Sequence, residues 1–222
     1  WRLSGTGTMA SVPLLCMGFI RTRPDLERPD LQCYVNCVGF DTKVWFPGAR
    51  KPNGDKIDWI NSLLHPESRG FMTLRSADPL APPRIQFNLF SSRADLVTMR
   101  EAVKIARDLM ARKPFADWLG PEQVPGEKFK TDAEIEDAIR QFCGVTQHPV
   151  GTCAMGPGGA AVVDPQLRVR GIEGLRVVDA SIMPAVTGGN TAAPTMMIAE
   201  KASDMILGKK PLPAAEGLER AA

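Results

Sequence analysis

The chain has 222 residues, of which 44% are apolar and 23% are charged, and its formal net charge is +2. This length is enough to bury a sizeable core in one large domain or two small ones. The near-neutral charge argues against a nucleic-acid-binding protein, and the longest apolar run, 12–20, is interrupted by Pro13 and Gly18 and is too short to span a membrane.

The cysteines and histidines indicate the redox setting of the protein and whether it binds a metal. Five cysteines, an odd number without a CxxC pair, favour free thiols in a cytoplasmic protein over a disulfide framework. The two histidines are far apart and have no close carboxylate cluster, so the sequence predicts no metal site. Because residue 1 is Trp1 and not Met, we expect translation to start upstream of it.

Residues 1–30 are rich in Gly, Pro, Ser and Thr and are predicted to be loop and turn around one short apolar run. Within them, residues 5–10 (GTGTMA) match the dinucleotide-binding pattern GxGxxA. We reject a phosphate-binding loop at this position because no strand precedes the glycines. Pro13 also stands where the following helix should continue.

The middle of the chain predicts strands. Three stretches, 31–40, 71–76 and 84–90, are apolar and β-prone, and turn residues mark 46–58 as a loop. These strands are expected to form one mixed sheet.

Two amphipathic helices are predicted after the strands. Ser92 is a candidate N-cap for the first helix, which extends to Arg112. Thr131 and Glu134 have the spacing of a capping box and predict the start of the second helix. The residues expected to face inward in the second helix are Ile135, Ala138, Ile139 and Phe142. We therefore predict that residues 1–143 form an α+β domain, a mixed sheet with covering helices.

After Gly144 the sequence becomes rich in glycine. It predicts loops, one buried strand over 175–181 with an acid at its carboxyl end, and a last helix over about 194–207. Residues 144–210 are assigned to a second domain, and 211–222 to a tail with little to bury.

Two motifs in this second domain can carry chemistry. His148-Pro149 opens the run HPVGTCAMG, and Gly188-Gly189-Asn190 leads into the last helix. A base candidate, a hydrogen-bonding amide and a helix N-terminus can converge on one ligand, which is typical of an active site. Each residue also has a structural interpretation, since a histidine beside proline is usually structural and Asn190 suits a helix N-cap.

The two motifs resemble those of the glucose–methanol–choline (GMC) family of FAD-dependent oxidoreductases. The resemblance extends to HPESRG at 65–70, VDPQLRVRG at 163–171 and VDASIMP at 178–184, which occur in the family's order. It implies an α/β fold made of a substrate domain and the last strand and helix of a Rossmann-type FAD-binding domain. Family members begin with a glycine-rich βαβ unit for the ADP half of FAD, which this sequence does not supply. The chain therefore resembles the C-terminal part of such an enzyme, and its expected partner is the N-terminal FAD-binding half, in the same or in a second polypeptide.

The resemblance also implies a reaction, the oxidation of a primary alcohol to an aldehyde by proton abstraction and hydride transfer to flavin N5. His148 matches the family's catalytic base, and imidazole titrates near neutral pH, as a base requires. Asn190 matches the neighbouring position that holds the substrate oxygen. The positions that match the surroundings of FAD are Pro149, Asp179, Ala180, Asn190 and Thr191. The N-terminus of the last helix is expected to stabilise negative charge on the flavin.

Choline-oxidising members of the family have an aromatic residue directly before the catalytic histidine, where it can face a trimethylammonium group. Here that residue is Gln147, so we expect neutral primary alcohols to be preferred over choline. His65, which is also followed by proline, is interpreted as structural.

Two alternatives to alcohol oxidation stay open. One is a flavin photodecarboxylase of the same family, against which the retained base His148 argues, because decarboxylation has no hydroxyl proton to remove. The other is a non-catalytic remnant of the fold that binds a partner or a small ligand.

Overall fold

The computed structural model describes residues 14–37, 56–211 and 213. The GTGTMA motif at 5–10 lies outside the described residues, and so do most of the predicted tail and residues 46–55 of the predicted loop. The described part combines helices with small antiparallel sheets, which confirms the predicted α/β class.

The chain divides into two units, with the boundary between Thr146 and Gln147. The assignment of a substrate-binding role to 1–143 and of a FAD-binding role to 144–210 stays a prediction. Across the described ranges, no helix is both long enough and apolar enough to cross a membrane.

The first unit contains a three-stranded antiparallel sheet in which β2 is the central strand. The strands are β1 (Leu14–Ile20), β2 (Leu31–Asn36) and β3 (Asp58–Leu63). Consecutive residues Leu31, Gln32 and Cys33 are all buried, so both faces of β2 are covered. The described part of the strand predicted at 31–40 is therefore confirmed.

Residues 1–30 were predicted to be loop and turn, and this was wrong for β1. The loop predicted at 46–58 ends at Asp58, where β3 begins. β1 contains Gly18, which weakens a strand pattern in sequence. Its place is explained by the neighbouring strand, because a Cβ at Gly18 would lie only 3.1 Å from Cys33 Sγ. Glycine in a strand often marks such a close approach.

Two further strands, β4 (Phe71–Thr73) and β5 (Arg84–Gln86), form a separate antiparallel pair. Both are shorter than the predicted strands at 71–76 and 84–90. Every pairing between these five strands is antiparallel, so the expectation of one mixed sheet was wrong. A mixed sheet contains at least one parallel pair of strands, and β1 to β5 form only antiparallel pairs.

Two helices complete the first unit, α1 (Arg93–Met110) and α2 (Asp132–Phe142). Leu96 of α1 packs in one buried cluster with Ile135 and Ile139 of α2. Phe142, which was predicted to face inward, is 49% exposed. It is the last residue of α2, and its ring meets Phe129 edge to face at a centroid distance of 6.4 Å.

The predicted starts of both helices are confirmed. The Ser92 hydroxyl accepts a hydrogen bond from the backbone N–H of Ala94, which caps α1. Thr131 and Glu134 form the full capping box at the start of α2. The hydrogen bonds that Glu134 accepts from the backbone N–H groups of Thr131 and Lys130 lower the pKa of its carboxyl group.

The second unit consists mainly of turns around one helix, α3 (Ala192–Ile206). Its core cluster is formed by Val163, Leu167, Ile182 and Ala202. Ala202 belongs to α3, so the helix is held against the turns. The predicted last helix is confirmed, with a start two residues before the predicted one.

The strand predicted at 175–181 was wrong. Within the described chain, this segment has a single bridge, between Arg176 and Arg168, and a 3-10 helix follows at Ala180–Ile182. The Asp179 carboxylate explains the change, because it accepts a hydrogen bond from the backbone N–H of Ser181 at 2.7 Å. Such a local side-chain contact competes with strand pairing and turns the chain.

Candidate active site

The loop that begins at His148 is held by backbone hydrogen bonds to the 3-10 helix. The N–H groups of Gly151 and Cys153 both donate to the carbonyl oxygen of Ser181, at 3.1 and 3.0 Å. The N–H of Met155 donates to the carbonyl of the next residue, Ile182, at 2.8 Å. Gly151 has a φ of +93°, which permits the turn that these bonds require. The loop is therefore fixed to the core of the second unit.

Helix α3 brings the second motif to the same place. Ile198 and Ala202 pack into the core cluster that also contains Ile182. The helix follows a turn at Gly188, whose φ is +79°. The residues of this turn and the start of α3 thus lie beside the histidine loop.

Both ring nitrogens of His148 have a side-chain partner at the start of α3. The Nε2 atom lies 2.9 Å from Nδ2 of Asn190, and the Nδ1 atom lies 3.0 Å from Oγ1 of Thr191. His148 is half-buried, Asn190 is exposed and Thr191 is buried. The two predicted catalytic residues are in direct contact.

The amide of Asn190 decides which nitrogen of His148 carries the proton. An amide nitrogen only donates hydrogen bonds, so Nε2 must accept and is unprotonated. In a neutral imidazole the other nitrogen then bears the hydrogen, and Nδ1 donates to the Thr191 hydroxyl. The free base position of the ring therefore lies next to the exposed amide.

The residue before His148 has an unusual backbone conformation. Gln147 has a φ of +60°, in the left-handed region that residues with a Cβ seldom adopt. Residues held in this way persist only where surrounding contacts determine them, and they are frequent at functional sites. Here the conformation sets the direction in which the chain enters the histidine loop.

The residues predicted to surround FAD share this scaffold. Pro149 follows the histidine directly, and Asp179 and Ala180 precede Ser181, the residue that holds the loop. The Thr191 hydroxyl faces His148, and a cofactor role for this residue stays a prediction.

The start of α3 fits an electron-rich group. In the described chain, α3 has no side-chain cap and no acidic residue in its first turn. Ala192 and Ala193 in that turn are exposed, and the first N–H groups of a helix have no partner within the helix. The helix dipole adds partial positive charge. Donors of this kind suit the carbonyl edge of a flavin ring.

The second histidine lies in a different setting. Burial is the largest influence on His65 and lowers its pKa, and the nearby Arg28 charge acts in the same direction. His65 is therefore uncharged at neutral pH. All five cysteines are thiols and not disulfides, and no cluster of three or more His, Cys, Asp or Glu side chains that could hold a metal ion occurs in the described ranges.

The sequence matches the GMC oxidoreductase family over residues 66–199, and the chain belongs to this family. GMC oxidoreductases are flavoproteins, and FAD is their cofactor. The predicted family and cofactor are thereby confirmed.

Curated relatives and solved structures agree with this family. Oxygen-dependent choline dehydrogenases of Rhizobium johnstonii and Chromohalobacter salexigens are 42% and 39% identical to the chain over 96% and 97% of its length. The chain spans 38% of the length of each. A pyridoxine 4-oxidase from Mesorbium loti has a TM-score of 0.74 at 28% identity, covering 88% of this chain and 38% of its own. A formate oxidase of Aspergillus oryzae, solved in work on FAD modification, has a TM-score of 0.71 at 31% identity, covering 82% and 32%.

Sequence reasoning missed the contact between Thr191 and His148. Capping rules pointed to Asn190 as the N-cap, whereas the structure places Thr191 at that position. The signal was the dipeptide Asn190-Thr191 itself, because two capping residues stand before a helix that needs only one. One of them is then available for another partner.

Proposed function

We propose that this chain supplies the catalytic base and the substrate-binding part of an FAD-dependent enzyme that oxidises a primary alcohol to an aldehyde. The observation that supports it most is the 2.9 Å contact between His148 Nε2 and Asn190 Nδ2. It pairs an unprotonated base with an exposed hydrogen-bond donor, in a chain whose family is oxidoreductase.

Oxidation of an alcohol removes a proton from its hydroxyl group and a hydride from its α-carbon. His148 Nε2 accepts the hydroxyl proton, and Nδ1–H keeps its bond to Thr191 as the ring becomes charged. Asn190 Nδ2 donates a hydrogen bond to the substrate oxygen as that oxygen becomes a carbonyl. Because the two nitrogens are 2.9 Å apart, a single oxygen can lie within hydrogen-bond distance of both.

FAD, when bound, supplies the two-electron acceptor for the hydride. The residues that would hold it are Pro149, Asp179, Ala180, Asn190 and Thr191. Of these, Ala180 and Thr191 offer backbone N–H groups at helix starts, which suit acceptor oxygens. The Asp179 carboxylate orders the 3-10 helix by accepting the Ser181 N–H, so its role toward the cofactor is indirect.

The same proposal assigns the substrate-binding domain to 1–143 and the closing segment of the FAD-binding domain to 144–210. The remaining FAD contacts would come from an N-terminal half that forms the partner of this chain, in keeping with the greater length of its relatives. A cytoplasmic location for the enzyme also stays a proposal.

The base is tested in the natural polypeptide that contains this chain, purified with FAD. His148→Ala should lower the rate at which an alcohol reduces the flavin under anaerobic conditions by about 10²-fold or more, because the proton acceptor is lost. His65→Ala is the matched control, since it removes the other histidine-proline pair and should leave the rate near that of the parent enzyme.

Equal rates for His148→Ala and the parent would remove His148 from the mechanism. A parent protein whose flavin is not bleached by any alcohol would favour the non-catalytic remnant. Loss of carboxylate substrate as CO₂ under illumination would favour the photodecarboxylase.

The substrate class is a finer proposal. Gln147 gives an exposed amide where an aromatic ring would face a trimethylammonium group, so neutral primary alcohols should be preferred over choline. The choline dehydrogenases among the relatives support choline as the second candidate. Comparison of kcat/KM for benzyl alcohol and choline decides between them, and a higher value for choline would overturn the preference for neutral alcohols.

A further inference from the structure

Thr191 is the N-cap residue of α3, but its hydroxyl group does not serve that helix. Ser92 and Thr131 at the starts of α1 and α2 both accept an N–H from the first turn of their own helix. The Thr191 hydroxyl lies instead 3.0 Å from Nδ1 of His148, a residue 43 positions earlier in the chain. Its backbone conformation also differs from the extended one of the other two, with φ −88° and ψ −4°.

The start of α3 is held without this hydroxyl. The carbonyl oxygen of Thr191 accepts hydrogen bonds from the N–H of Thr195 at 3.0 Å and from its hydroxyl at 2.7 Å. Thr191 is only 8% exposed, so its side chain has a fixed surrounding. A buried capping residue whose hydroxyl faces a histidine breaks a local rule, and such departures are expected where function requires them.

We propose that Thr191 is a positioning residue that holds His148 as the Nδ1–H tautomer by accepting its N–H. The inference rests on the proposed role of His148 as the base. When a substrate hydroxyl lies between Nε2 and Asn190, the Thr191 contact is the one that keeps the hydrogen on Nδ1. Nε2 then stays unprotonated and directed at the substrate.

The contact also suits both charge states of the ring. After proton transfer the imidazolium carries a hydrogen on each nitrogen, and Nδ1–H still donates to the same hydroxyl oxygen. The ring therefore needs no rotation between the neutral and the charged state. An acceptor at this position acts on the histidine and not on the substrate, so it should affect kcat more than KM.

The test uses two variants of the FAD-loaded natural polypeptide. Thr191→Val keeps the shape of the side chain and removes the hydroxyl, whereas Thr191→Ser keeps the hydroxyl. Nitrogen NMR of enzyme labelled with ¹⁵N-histidine distinguishes the two tautomers directly. For this measurement both variants are made in the Asn190→Ala background, because the Asn190 amide otherwise holds Nε2 as an acceptor. There we expect Nδ1–H with Thr191 and with Thr191→Ser, and a shift of His148 toward Nε2–H with Thr191→Val.

The flavin reduction rate should fall by about tenfold to hundredfold in Thr191→Val, the scale seen when the partner that orients a histidine is removed, and Thr191→Ser should restore most of it. FAD content and KM should change little. If Thr191→Val does not fold, Thr191→Ala removes the hydroxyl with a smaller side chain and carries the same expectations.

The proposal is overturned if the hydroxyl-free variant keeps the Nδ1–H tautomer and the parent rate. It is also overturned if Thr191→Ser is as impaired as Thr191→Val, because side-chain shape and not the hydroxyl would then matter. Failure of the base assignment is distinguishable. If His148→Ala reduces flavin normally while Thr191→Val still switches the tautomer, the base is a different group and the positioning contact stands.

Discussion

The helix starts of the two units use the same residue types for different purposes. In the first unit, Ser92 and Thr131 cap their own helices, and the buried Asp95 accepts the N–H groups of Glu67 and Ser68, both at 2.8 Å. In the second unit, Thr191 faces His148. Polar side chains that bond to the backbone of their own helix stabilise the fold. A capping residue whose side chain bonds elsewhere indicates a functional site.

The largest expected effect is a loss of folding stability in the first unit, where we assign the polar contacts a structural role only. A Cβ at Gly70 would lie 2.2 Å from the carbonyl oxygen of Gln86 and 2.9 Å from Cα of Phe87. Because both atoms belong to the backbone, Gly70→Ala should lower the free energy of unfolding by about 3 kcal/mol. The shift of the urea unfolding midpoint measures it.

Gly120→Ala is the control for this substitution, since the added Cβ would meet no atom of the described chain within 4 Å. Equal midpoints for the two alanine variants would show that β5 moves freely away from Gly70.

A substitution in the second unit, Asn190→Ala, should lower activity and leave stability unchanged. Asn190 is exposed and its amide lies beside the base, so Asn190→Ala should leave the unfolding midpoint nearly unchanged. The same variant should reduce the flavin reduction rate by about 10²-fold, because one donor to the developing carbonyl oxygen is lost. If Asn190→Ala lowers the unfolding midpoint but not the flavin reduction rate, the role of Asn190 is structural.

The smallest effect is a dependence of stability on pH. The backbone N–H groups of Thr131 and Lys130 hold the pKa of the Glu134 carboxyl below its ordinary value. Since the unfolded chain has the higher pKa, 4.5, this contact contributes its full stabilisation only above that pH, and the contribution is lost as the pH falls through the lowered pKa. Glu134→Gln should therefore lose less stability on acidification than the parent, as thermal melts across that range would show. Parallel losses in both proteins would contradict a role for this carboxylate.

Features that depend on neighbouring residues in sequence were predictable. The capping box of Thr131 and Glu134 and the cap at Ser92 were found because each involves residues within one turn. The family motifs likewise brought His148 and Asn190 to attention before their contact was known.

Features that depend on distant partners were not predictable. β1 is a strand because β2 lies beside it, and no property of 14–20 alone reports that neighbour. At 175–181 the apolar pattern was real, since Val177 and Val178 pack against the core, but the Asp179 side chain ended the extended conformation. The contact between Thr191 and His148 also joins distant parts of the chain, and only the fold reveals it.

The bonds from Gly151, Cys153 and Met155 to the 3-10 helix have a consequence for how the chain can vary. These bonds join the two ends of the segment 156–180, which leaves the histidine loop after Met155 and returns at Ser181. The two ends are therefore held together whatever the length of the segment between them. Residues 157–160 at its tip are all exposed, and an added Cβ at Gly158 or Gly159 meets no described atom within 4 Å. Evolution, or an engineer attaching a reporter, can lengthen the chain at this tip while the histidine and its partners keep their places.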